Sequence, residues 1–188
     1  MQKKLRPACK DELTMEKKEL DWGNIGFTYM TTDKRYVAEY KDGAWGEGAL
    51  TSDPNVVINE CAGILQYCQE CFEGLKAYTT EDGSIVTFRP DLNAERMMDS
   101  AARLEMPPFP KERFLEAVDA VVKANAAWVP PFGSGATLYL RPYMFASGPV
   151  IGVKPSDEYQ FRLFGTPVGP YFKGGAKPLT LCVSDFDR

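Results

Sequence analysis

Histidine is absent from all 188 residues. Its absence removes Ser-His-Asp and Cys-His catalysis, and with them the commonest metal ligand. Apolar runs of membrane-spanning length are missing too. The stretch from Met1 to Trp22 is rich in Lys and Glu and lacks the apolar centre of a signal peptide. No membrane partner is therefore expected, and a cytoplasmic location is the default. Excess positive charge is also lacking. The net charge of -4 gives no basic field, which argues against nucleic acid as a partner. Cysteines are few and odd in number: Cys9, Cys61, Cys68, Cys71 and Cys182. That count in a cytosolic chain speaks against a disulfide framework. Cys68 and Cys71 form a C-x-x-C, open to reading as a redox pair or half of a zinc site. Zinc wants four ligands, and no second pair stands at matching spacing, so no metal site is expected.

What is present is ordinary for a globular chain, with 44% hydrophobic and 26% charged residues. A polar arm runs from Met1 to Asn24, with room for a helical turn. Phe27 to Thr31 and Tyr36 to Tyr40 read as strands, the second ending at the turn signal Asp42-Gly43. Asn55 to Tyr67 is ambiguous, with a short helix near its end. Phe72 to Thr79 and Ile85 to Phe88 read as a hairpin around Glu81 to Ser84. A helix capped by Asp91 is expected to run to about Glu105, stopped by Pro107-Pro108. A second starts near Pro110-Lys111 and ends before Pro130, with Phe114, Ala117, Val118, Val121 and Val122 at helical spacing. Thr137 to Phe145 alternates like a strand, and Pro142 suggests a sheet edge. Tyr159 to Gly165 reads as another strand. Pro167 to Pro178 has a linker's composition, and Leu179 to Val183 opens a further strand. The fold class is therefore α/β, with a small α+β domain over residues 1–166, a loop over 167–178 and the first strand of a truncated larger domain over 179–188.

Three features carry possible chemistry. Alternation along Thr137 to Phe145 puts Tyr139, Arg141 and Tyr143 on one face and Leu138, Leu140 and Met144 on the other. An arginine between two phenols suits a carboxylate, although a half-exposed strand face gives the same pattern. Arg96, Ser100 and Arg103 make one polar helix stripe, either a solvated face or a phosphate clamp. Gly74, inside a strand-like run, suggests a bulge or a close backbone approach. Tyr67, Phe72 and Tyr171 fit a core as readily as a pocket wall.

In order along the chain these segments resemble a known family. Tyr67-Cys-Gln-Glu-Cys-Phe72-Glu-Gly-Leu-Lys-Ala-Tyr78 is similar to its aromatic-then-Phe-Glu-Gly-Leu/Met-Lys-Ala segment, and Phe88 to Leu104 to its phosphate-arginine helix. Leu138-Tyr-Leu-Arg141-Pro and Pro167-Val-Gly-Pro-Tyr171-Phe resemble its next two signatures. The family is that of branched-chain amino acid aminotransferases, pyridoxal-phosphate enzymes of fold type IV, and the resemblance spans Phe27 to Arg188. It implies the small N-terminal domain plus the start of the large one. It implies pyridoxal 5'-phosphate as cofactor, with Arg96 on the cofactor phosphate. Tyr67, Phe72, Tyr139, Arg141 and Tyr171 would line the substrate pocket. The implied reaction moves an amino group from leucine, isoleucine or valine to 2-oxoglutarate, in a homodimer when complete. The lysine segment of relatives, Lys-x-Gly-Gly-Asn-Tyr, is absent. The Schiff-base lysine is thus expected beyond Arg188, no catalytic residue is nominated within the chain, and the fragment alone is expected to be inactive. Gln66 stands where many relatives carry histidine. Two other readings stay open from the residues alone: a stand-alone carboxylate or phosphate binder built on Arg96 and Arg141, and a thiol-redox protein built on Cys68 and Cys71.

Overall fold

The computed structural model describes residues 16–171, 178 and 180–183. An eight-stranded sheet forms its frame, in the order β2-β1-β8-β7-β5-β6, with β3 paired to β1 and β4 paired to β7. The strands are β1 (Arg35–Lys41), β2 (Ala44–Trp45), β3 (Ala49–Thr51), β4 (Glu70–Phe72), β5 (Leu75–Thr79), β6 (Ile85–Thr87), β7 (Thr137–Ala146) and β8 (Tyr159–Val168). All the pairings are antiparallel. Three helices, α1 (Gly63–Tyr67), α2 (Pro90–Arg103) and α3 (Lys111–Ala124), complete the fold. Among the described residues no helix is long and apolar enough to cross a membrane.

Period-two alternation builds the two longest strands. Leu138, Leu140 and Met144 of β7 and Phe161 and Leu163 of β8 are fully buried on one face. The apolar stripe of α3 covers that face. Phe114, Ala117, Val118, Val121 and Val122 are all buried, and Phe161 stacks on Phe109 with ring centroids 3.8 Å apart. One buried polar group fits this core because every bond it needs is made. Asn125 accepts from the Lys34 N–H at 3.0 Å and donates to the carbonyls of Lys34 and Val121, both at 2.8 Å. It fastens the end of α3 to the start of β1. Asp42 and Gly43, both at positive φ, form the two-residue turn expected between β1 and β2.

Several expectations are corrected. Phe27 to Thr31 forms no strand. The segment lies beside β8 but is held by single bonds, such as the Met30 N–H to the Thr166 hydroxyl at 2.8 Å, rather than by a ladder. The run expected from Phe72 to Thr79 is split into β4 and β5 at Glu73-Gly74. Asp91 does not cap α2. Pro90 occupies the first helical position, so the cap falls on Arg89, and Asp91 instead holds the Arg89 guanidinium at 2.7 Å from inside the first turn. The helix ends at Arg103, two residues early. Glu105 takes a left-handed φ of 54°, and the Met106 N–H closes back on the Ala101 carbonyl at 2.9 Å.

Pro142 is interior rather than at an edge, fully buried between β8 and β4/β5. Its carbonyl accepts the Glu73 N–H at 2.8 Å, so its nitrogen also faces the break between β4 and β5, where no ladder bond is forfeited. The strand expected to stop at Gly165 continues to Val168. Part of the expected strand Leu179 to Val183 lies outside the described residues. Thr180 to Val183 belong to no strand, and Leu181 and Val183 are exposed, since an extended segment becomes a strand only by pairing.

Candidate functional site

The break at Glu73-Gly74 organises the polar chemistry of the sheet. Glu73 turns toward α2, and its carboxylate is almost fully buried, with only 3% of the side chain exposed. Arg96 meets it with two prongs, Nε to Oε1 and Nη2 to Oε2, both at 2.6 Å, and Asn93 adds a third bond at 2.8 Å. Burial pushes the Glu73 carboxyl up, but the hydrogen bonds from Arg96 and Asn93 outweigh it and hold the group below its ordinary value. Arg96 itself stays 68% exposed. One edge of its guanidinium is pinned by Glu73, while its Nη1 has no hydrogen bond among the described residues. A planar cation fixed on one side and open on the other is suited to an anion.

On the opposite side of the break lies the open face of the sheet. Arg141 takes the Tyr139 hydroxyl with Nε at 3.1 Å and Nη2 at 2.8 Å. Its guanidinium lies over the Phe72 ring, 4.3 Å from the centroid. Gly74 is required here, because a Cβ at this position would collide with the Tyr139 hydroxyl. Phe27 sets its ring edge-on to both Tyr139 and Tyr171, at 6.0 and 5.2 Å. Lys76 pairs with Tyr139 across β5 and β7 and so shares its face.

The structure therefore brings Phe72, Tyr139, Arg141 and Tyr171 into one aromatic-lined group, with Arg96 across the break. Tyr67 goes elsewhere. It closes α1, and its hydroxyl donates to the Ile151 carbonyl. Three participants went unnominated in the sequence: Glu73, Asn93 and Phe27. Glu73 had a signal, as an acid beside a strand glycine within the Phe-Glu-Gly run. The cysteine pair is poorly suited to redox work. Cys68 is exposed at a left-handed position, whereas burial, then Glu73 and Glu70, push the Cys71 thiol up to about 11. Such a thiol is protonated at neutral pH and a weak nucleophile. Among the described residues no cluster of three or more His, Cys, Asp or Glu side chains is placed to hold a metal.

The sheet and its helices are the architecture of the N-terminal domain of fold-type IV aminotransferases. A branched-chain aminotransferase structure from Thermoproteus uzoniensis, with norvaline, superposes with a TM-score of 0.59 at 25% identity, over 76% of this chain and 43% of that one. The Thermus branched-chain aminotransferase complexed with N-(5'-phosphopyridoxyl)-L-glutamate gives 0.55 at 23% identity, over 72% of this chain and 42% of that one. No protein-family model matches the chain. The sequence is 54% identical over 171 residues to the branched-chain-amino-acid aminotransferase of Haemophilus influenzae, covering 91% of this chain and 50% of that protein. The chain belongs to the branched-chain aminotransferase family, and it spans about half the length of the curated relatives it matches.

Proposed function

We propose that the full-length protein transfers the amino group of leucine, isoleucine or valine to 2-oxoglutarate with pyridoxal 5'-phosphate, and that this chain supplies one wall of the site. The observation that carries the reading is the pair of half-satisfied arginines on either side of the Glu73-Gly74 break, set among aromatic rings. The residues fit the cofactor. Arg96, pinned by Glu73 on one edge, presents its remaining donors to a phosphate, which a fixed planar charge binds well. When bound, the cofactor supplies the electron sink for the transfer.

Arg141 and the Tyr139 hydroxyl receive the distal carboxylate of glutamate. Phe72 and Phe27 shield that pairing from water, which strengthens it. The same rings present an apolar wall to a branched side chain, so one pocket serves both half-reactions. Tyr171 extends the wall through Phe27, and Tyr67 joins it from the side of Ile151. In this reading the proton-carrying lysine belongs to the part of the relatives that this chain does not span, the fragment alone does not transaminate, and the complete protein works as a cytoplasmic homodimer.

The test is cofactor affinity in the complete protein. Arg96→Ala weakens pyridoxal-phosphate binding by roughly ten- to hundredfold, as a charged hydrogen-bonded pair is worth about 1.5–3 kcal/mol. Unchanged affinity returns Arg96 to a solvated helix face.

A further inference from the structure

Two other arginines share the open face of the sheet and take no part in the site above. Arg35 and Arg162 are 3% and 8% exposed, and they line a cavity of about 360 Å³ together with Tyr29, Asn55, Tyr143 and Phe164. Burying a guanidinium costs several kcal/mol unless an anion answers it. Neither arginine has an ion pair among the described residues. Arg35 donates to the Thr32 carbonyl at 3.0 Å and to that of Ser52, while its Nε is buried with no partner at all. Arg162 donates to the Gln160 side chain at 3.1 Å and the Asn55 carbonyl at 3.0 Å. The nearby acid is Asp53, exposed and bound to Asn55. Both arginines help depress its carboxyl, after the Asn55 hydrogen bonds, without touching it. Two buried cations thus face one solvated carboxylate.

We propose that Arg35 and Arg162 form a second anion site, separate from Arg141, that binds a small monocarboxylate with a short apolar tail. The geometry sets the class of ligand. Strand pairing places Arg162 directly beside Tyr143 and puts Phe164 opposite Arg141, so the phenylalanine separates the two sites. Phe164 meets Tyr29 and Tyr143 edge-on at 5.7 and 6.1 Å, giving an aromatic wall. Burial keeps the Tyr143 phenol protonated, against the pull of Arg162 and Arg35, so it has an O–H to give a carboxylate. The cavity is at the small end of ligand pockets. Its apolar walls and the neighbouring Asp53 charge disfavour a phosphate dianion. A single carboxylate restores the charge balance and leaves its tail against the rings. The inference rests on burial and charge, not on the transaminase reading.

The experiment is titration of the 188-residue chain with 3-methylbutanoate, read by calorimetry and by amide chemical shifts. Saturable one-to-one binding is expected, with shifts at β1 and β8. Arg162→Gln weakens it tenfold or more, Tyr143→Phe by a few-fold, and Arg141→Gln by less than twofold. Tyr143→Phe retains the ring and so reports even where Arg162→Gln fails to fold. Inorganic phosphate binding as tightly as 3-methylbutanoate would overturn the carboxylate assignment. Loss of binding in Arg141→Gln but not in Tyr143→Phe would assign it to the first site. No saturable binding, or self-association of the chain that Arg162→Gln abolishes, would give the pocket to something other than a small acid.

Discussion

The two faces of β7 and β8 come from alternate residues of the same strands, yet they differ in how complete they are. On the helix side Leu138, Leu140, Met144, Phe161 and Leu163 are fully buried against α3 and its neighbours. On the other side Arg141 has one partnered edge, and Arg35 carries a buried donor with no partner. The contrast shows how a small domain divides its labour. One face spends every contact on stability, while the other holds charges in place with donors left over for a ligand.

The comparison is broken most forcefully from the core side. Phe161→Ala removes a ring stacked on Phe109 and should cost about 3–5 kcal/mol in urea unfolding. A loss under about 1 kcal/mol would mean that the helix face is not the stabilising one. Gly74→Ala comes next. Its methyl meets the Tyr139 ring at 3.1 and 3.2 Å as well as the hydroxyl, so about 1–3 kcal/mol of overpacking is expected as a fall in Tm. That variant also moves Tyr139 off Arg141, linking the two faces.

Glu73 sharpens the contrast through pH. Its carboxyl is held below the ordinary glutamate value in the folded chain, so the unfolded chain binds the proton more readily. The stability it contributes is therefore full above the unfolded value of about 4.3 and is lost as pH falls through the lower folded one. Glu73→Gln should flatten the acid limb of a stability–pH curve. An unaltered acid limb would show that the bonds from Arg96 and Asn93 do not persist in solution. The smallest effect belongs to Glu105, whose left-handed φ favours glycine. Glu105→Gly should raise stability by a few tenths to about 1 kcal/mol, measured as a small rise in Tm. A fall in Tm would show that the αL strain is already relieved.

How far the sequence carried follows from the range of the interactions. The apolar stripe of α3 and the two faces of β7 were legible because period alone sets them. The position of Pro142 was not, because its tolerance depends on a break in a neighbouring strand distant in sequence. The grip of Glu73 on Arg96 and the meeting of Arg35 with Arg162 were hidden for the same reason: each joins elements that only the folded sheet brings together. Phe27 to Thr31 had a strand's composition, but its neighbour β8 offers it a threonine hydroxyl instead of a ladder. Tyr67 was grouped with the pocket aromatics by motif, whereas its local helix turns it to Ile151.

The central claim is that the open face recognises carboxylates through Arg141, and the most direct measurement separates the two half-reactions of the complete protein. Rapid kinetics of Arg141→Met with glutamate and with leucine as amino donors compares kcat/KM for each. The account predicts a loss of roughly ten- to hundredfold for glutamate, the worth of a charged pair, and a change of only a few-fold for leucine. Equal losses in both, or none in either, would contradict it.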